Sequence, residues 1–162
     1  MIQINPVIKQ HLVSAGDVRH LLIESVERLV LVLKVNSDTH TAQVTLIHSY
    51  PEFATEYDVI VKPDITGLSY TAVIQTDIRG VIFEAELGEL ITTVPKKLVN
   101  ACFLGLKHFS EDKFSFIGPA LLGPLEARWD FKAAEGTTMR QLAMGATASI
   151  LGQDLCYSSP TY

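Results

Sequence analysis

The side chains able to do chemistry are few and lie in the first half of the 162 residues: Arg19 and His20, Arg28, His48 with Ser49, and Asp77 with Arg79. An arginine offers a planar fork of donors that fits two oxygens of a phosphate or carboxylate, and it keeps its charge at any working pH. A histidine titrates near neutrality and can act as a general base. Each also has a purely structural reading. Arg28 at a strand start is a typical surface ion-pair residue. His48 at a strand end can be half-buried against backbone. Asp77 and Arg79 stand two apart on one strand face, where they can pair with each other. Arg19 and His20 point to opposite faces, so at most one reaches any given site.

The elements that must position these groups read as strands. Asp17–Ile23, Arg28–Val35, Thr41–His48, Tyr57–Val61 and Ala72–Phe83 are rich in Val, Ile and Leu. Asn36–His40 reads as a hairpin link, because Asn and Asp tolerate the backbone of a tight reversal. Short strands at this spacing predict a small, strongly bent sheet or barrel. After Leu90 the pattern changes. Thr92-Thr93 reads as a cap and Pro95 as a first-turn residue of a helix over Val94–His108. Ser110–Gly136 reads as loop with one short strand near Glu126–Phe131, its Phe114, Phe116, Trp129 and Phe131 forming a local core rather than a base-stacking platform. Thr137 or Thr138 then caps a second helix to about Leu151, with Met139, Leu142, Ala143, Ala146 and Ile150 on one side. A loose tail is expected from Gln153 to Tyr162. The fold class is α+β, mainly β, in two parts: 1–108, a barrel with its helix, and 109–162, an extension packed on the same domain.

With 48% apolar residues, a chain this long buries roughly 70% of its unfolded surface and needs no disulfide or metal to hold a core. Cys102 and Cys156 fit no metal spacing or disulfide framework, which points to a reducing cytoplasm. No leader pattern or long apolar run argues for secretion or membrane spanning. The balance of 13 basic against 18 acidic side chains, net charge -5, gives no general attraction to nucleic acid, so any phosphate site has to be local. No metal cluster, phosphate loop, dinucleotide fingerprint, nucleophile elbow or paired-cysteine motif is present, and no cofactor is expected.

The segments Ala15-Gly16-Asp17-Val18, Glu27–Leu33, Val44–Ser49 and Gly67–Arg79, in that order and followed by a helix, resemble the PemK/MazF family of toxin components of bacterial toxin-antitoxin pairs. The resemblance covers roughly residues 13 to 108. It implies an SH3-like barrel with C-terminal helices, a homodimer, an antitoxin as protein partner, and metal-independent cleavage of single-stranded RNA by attack of the ribose 2'-OH. Arg28 falls on the family's arginine that stabilises the phosphorane or protonates the leaving oxygen. His48 and Ser49 fall where the family holds the scissile phosphate, with His48 available as base. Asp77 falls near an acidic base found in some members. Arg79, Gln75 and Arg19 are expected to bind substrate.

The chain departs from the family in three places. Leu29 follows the arginine where members usually carry proline. The first inter-strand loop is cut to about Ser25-Val26-Glu27. Glu24, Glu27, Glu52, Glu56 and Asp58 crowd a region that is basic in the family. These departures motivate the alternative expectation of a catalytically inactive module that binds a protein partner. A third reading, an unrelated structural or regulatory protein, makes the resemblance coincidental.

Overall fold

The computed structural model describes residues 12–23, 26–55, 57–104, 114–116, 124–142 and 149–150. Strands β1 (Asp17–Ile23), β2 (Val26–Asn36), β3 (Thr41–His48), β4 (Asp58–Val61) and β5 (Ala72–Phe83) lie where the apolar runs predict them. Among the described residues three further strands join the sheet: β6 (Leu90–Thr93), β7 (Phe114–Phe116) and β8 (Ser149–Ile150). The order is β6-β1-β2-β3-β5-β4-β7, with β8 also paired to β5 and every pairing antiparallel. The sheet curls into a half-barrel, and with its helices it has the expected α+β class. Helices α1 (Pro63–Thr66), α2 (Lys96–Leu104) and α3 (Leu125–Leu142) fill the connections and cover the sheet.

The strands read as nearly unbroken apolar runs because both faces are covered. Along β2 the pleat sends Leu31 and Leu33 to one core and Val30 and Val32 to the other. The first core joins Val18, Ile47, Val59 and Ile74 to Leu98, Val99 and Cys102 of α2. The second joins Leu21, Val44, Leu46, Ile78 and Ile82 to Met139 of α3. Cys102 is fully buried, which pushes its thiol up to about 12 and makes it inert packing.

Several local expectations are corrected. Thr92 and Thr93 cap no helix; they pair with Val18 and Asp17 along β1. The segment expected as loop and short strand near Glu126–Phe131 is the first half of α3. Leu125-Glu-Ala-Arg at its start and Lys132-Ala-Ala-Glu135 further on are strong helix formers, and Pro124 suits the helix start. Thr137 and Thr138 sit inside α3 and donate their hydroxyls to Ala133 O and Ala134 O, at 3.2 and 3.1 Å. The second helix is described as far as Leu142, residues 143–148 with Ala143 and Ala146 lie outside the described residues, and Ser149 and Ile150, expected on that helix, pair with Arg79 and Ile78 of β5. The end of the first expected helix, residues 105–108, and the tail Gln153–Tyr162 lie outside the described residues. No described helix is long and apolar enough to cross a membrane.

Candidate functional site

Strand parity sets the site. Arg28 shares its face of β2 with Val30 and Val32, and His48 shares its face of β3 with Val44 and Leu46, so both lie on the side of the sheet that α3 covers. Leu29 pairs with Ile47, which puts Arg28 beside His48 in the next register position. His48 in turn pairs with Val73 of β5, and one pleat along β5, Gln75 pairs with Asp58 of β4. A bulge lies between Gln75 and Ile78, where β3 advances from Thr45 to Ile47 while β5 runs from Arg79 to Ile74. The Thr45 hydroxyl clamps it, its single proton shared between Gln75 O and, at 2.8 Å, Ile78 O. Such a bulge re-aims side chains, and here it turns Asp77 toward α3 while Arg79 goes the other way.

Helix α3 brings two charges to this face. The Arg28 guanidinium meets the Glu135 carboxylate fork to fork: Nη1 donates to Oε2 at 2.9 Å and Nη2 donates to Oε1. Gln75 Nε2 donates to the same Oε1 at 2.7 Å. Three residues earlier on the helix, Lys132 is 1% exposed, and its ammonium donates to Asp58 Oδ1 and, at 2.7 Å, to Asp77 Oδ1. The Asp58 carboxylate also accepts the Thr55 N–H at 2.8 Å. Burial pushes Asp58 up to about 6 against the pull of the Lys132 charge, with Asp77 adding to the rise. Burial works against the Lys132 ammonium, but the two carboxylates outweigh it and hold its pKa above the ordinary value.

Arg28, His48, Ser49, Tyr50, Tyr70, Phe131 and Glu135 border one groove of about 400 Å³. A second hollow of about 390 Å³ adjoins it across Arg28 and Tyr70 and is bordered by His20, Ser69 and Ile91. Phe131 of α3 stacks on Phe53, with ring centroids 4.9 Å apart, and meets His48 edge-on at 4.7 Å. His48 is 7% exposed; burial, then the charges of Lys132 and Arg28, lower its pKa to about 3, so the ring is neutral at any working pH. Its Nδ1 accepts the Tyr50 N–H at 3.0 Å, which assigns the ring proton to Nε2. That N–H has no hydrogen-bond partner among the described residues, and neither have Gln75 Oε1 and Asp77 Oδ2. A buried polar atom without a partner costs about 1–3 kcal/mol, so this face is polar beyond what packing α3 requires.

The residues singled out from sequence divide accordingly. Arg28, His48 and Ser49 come together on the groove, and Gln75 reaches them through Glu135. The general-base role expected of His48 does not fit a ring whose free nitrogen carries the proton. Asp77 is buried and held by Lys132 rather than by Arg79. Arg79 donates to Thr76 O and Cys102 O, both at 2.7 Å, and lies over the Phe103 ring, so it pins α2 to β5 and binds nothing in the groove. Arg19 is buried; it pairs with Asp17 at 3.0 Å and donates to Gly88 O and Leu12 O, again away from the groove. His20, on the opposite face of β1, borders the adjoining hollow, with its Nδ1 2.8 Å from Glu27 Oε2.

The groups not singled out as site residues are Lys132, Glu135, Asp58 and Phe131. Phe131, Lys132, Glu135 and Met139 follow helical spacing and share one face, but that signal is lost when the segment is read as loop. No group of three or more His, Cys, Asp or Glu side chains among the described residues is placed to hold a metal ion. No protein-family model matches the chain, and no curated protein matches it significantly.

Proposed function

We propose that this chain is a PemK/MazF-like endoribonuclease that cleaves single-stranded RNA by attack of a ribose 2'-OH on the adjacent phosphodiester. The observation that carries the reading is Arg28 beside His48 on one open groove, its guanidinium already engaged with an oxyanion in the two-pronged geometry that a phosphodiester also offers. Arg28 gathers charge on the non-bridging oxygens as the phosphorane forms, the step at which fixed donors contribute most. His48 forms part of the groove wall with its Nε2–H buried beneath it, and Ser49 adds a hydroxyl. Tyr50, Tyr70 and Phe131 offer rings to the flanking bases. The reading is tested by incubating the purified protein with single-stranded RNA in EDTA and following 2',3'-cyclic phosphate ends. Cleavage that disappears in Arg28→Ala supports it, and intact RNA with folded protein across varied sequences rejects it.

A second reading, a non-catalytic module for a protein partner, has its own observation. β6 is an edge strand among the described residues, and its Leu90 and Ile91 are exposed. An antitoxin or a second copy of the chain would pair there. Light scattering of the isolated protein, with and without Leu90→Lys, separates a dimer built on this edge from a monomer.

A further inference from the structure

Attack by a 2'-OH needs an acceptor for the hydroxyl proton as the new P–O bond forms. His48 does not provide one, because Nδ1 is engaged by Tyr50 and Nε2 is a donor. Asp58 and Asp77 are buried under α3, share Lys132 and do not border the groove. Glu27 borders it, but its carboxylate is well exposed and turned to His20. Glu135 borders the same groove as Arg28, His48 and Ser49.

Its setting suits the task. A carboxylate has about four acceptor positions. Arg28 Nη2 and Gln75 Nε2 occupy two on Oε1 and Arg28 Nη1 occupies one on Oε2, which leaves Oε2 one lone pair in a fixed direction. The element behind it is rigid: Lys132 on the same helix face is locked between Asp58 and Asp77, and Met139 one turn beyond Glu135 is fully buried in the core. Groups held on a packed helix keep their geometry better than groups on a loop. A helix whose only task was to cover the sheet would be served as well by apolar side chains, because buried ion pairs give little net stability.

We propose that Glu135 is the general base of this site, an inference that rests on the endoribonuclease reading above. Glu135 Oε2 takes the proton of the 2'-OH, the 2'-oxygen forms its bond to phosphorus, and the bond from phosphorus to the 5'-oxygen breaks. The 5'-oxygen leaves with a proton from water, and Glu135 returns its own proton to solvent. Arg28 holds Glu135 with one edge of its fork and has its remaining N–H groups for the phosphoryl oxygens. The extension after the helix α2 is therefore part of the reaction centre.

The test compares full-length wild type, Glu135→Gln and Glu135→Asp on a labelled single-stranded RNA pool of randomised sequence. Binding is read separately with the same pool carrying 2'-O-methyl riboses, which cannot react. Glu135→Gln is expected to lose about 10²–10⁴-fold in kcat/KM, to bind the methylated pool as wild type does, and to lose the acid limb of the pH–rate profile. Glu135→Asp keeps a carboxylate and is expected to keep that limb at reduced rate, which covers the case in which the glutamine variant does not fold. Unchanged cleavage in Glu135→Gln overturns the proposal. Faster cleavage also overturns it and makes Glu135 an occupant of the phosphate position instead. Loss of cleavage together with binding overturns it in favour of a positioning role. A wild type that leaves RNA intact removes the endoribonuclease reading and this inference with it, whereas an active wild type with an equally active Glu135→Gln removes the inference alone.

Discussion

Arg28 on β2 and Glu135 on α3, 107 residues apart in the chain, close a two-pronged ion pair that joins the sheet to the last described helix. Both side chains are mostly buried, and Gln75 completes the carboxylate's partners. Arg28→Ala leaves Glu135 with one donor, so we expect a loss of about 3 kcal/mol, the lower end for a broken buried pair because the pair is partly exposed. Arg28→Lys is expected to restore less than half of this, since an ammonium lacks the fork. Urea unfolding of the three proteins checks both values.

The Lys132 site predicts a pH-dependent effect. Lys132→Met strands two buried carboxylates and should cost about 3–5 kcal/mol at neutral pH. The folded pKa of Asp58 is raised from 3.8 to about 6, so its contribution to stability is present below the ordinary value and is lost as pH rises through about 6. Without the ammonium this loss grows, and Lys132→Met should be more destabilised at about pH 8 than at about pH 5. Equal losses at the two pH values would contradict the arrangement. Adding Asp58→Asn and Asp77→Asn to Lys132→Met should recover part of the stability, because it removes the uncompensated charge.

His48 should show no titration near neutrality. Its folded pKa is depressed from 6.5 to about 3, so its contribution is present above the ordinary value and is lost as pH falls toward about 3. Imidazole carbon–proton NMR spectra, with the signal assigned through His48→Gln, test this directly. Phe131→Ala opens the ring to water and should move the transition upward, because burial is the largest cause of the depression.

Gly67 holds the turn after α1 at φ +81°, and a Cβ there would come within 2.9 Å of Thr92 Oγ1. Gly67→Ala should therefore lose about 1–2 kcal/mol from the left-handed backbone, with the contact to β6 adding to it. The effect should be smaller in a Thr92→Ala background. A thermal shift for the single and double variants measures the difference.

Local patterning in the sequence was enough for strands β1 to β5 and for α2, because alternating or continuous apolar runs are properties of neighbouring residues; that Arg28, His48 and Ser49 belong to one site was implied only by the family resemblance. Sequence alone also showed that any phosphate site had to be local in a chain of net charge -5. It did not reveal β6, where Leu90–Thr93 becomes a strand only through its pairing with β1. The first half of α3 was hidden in a stretch that glycine, proline and aromatic residues made look like loop. Asp77 and Arg79 show the limit most clearly: two apart on a strand, they part company because a bulge in β5 intervenes and because Lys132 and Cys102 O lie on opposite sides. Tertiary structure alone decided which ions meet, because Arg28 with Glu135 and Lys132 with Asp58 and Asp77 are partners across long chain separations, chosen by how α3 lies on the sheet. The same packing took His48 out of water and changed it from a candidate base into a fixed donor.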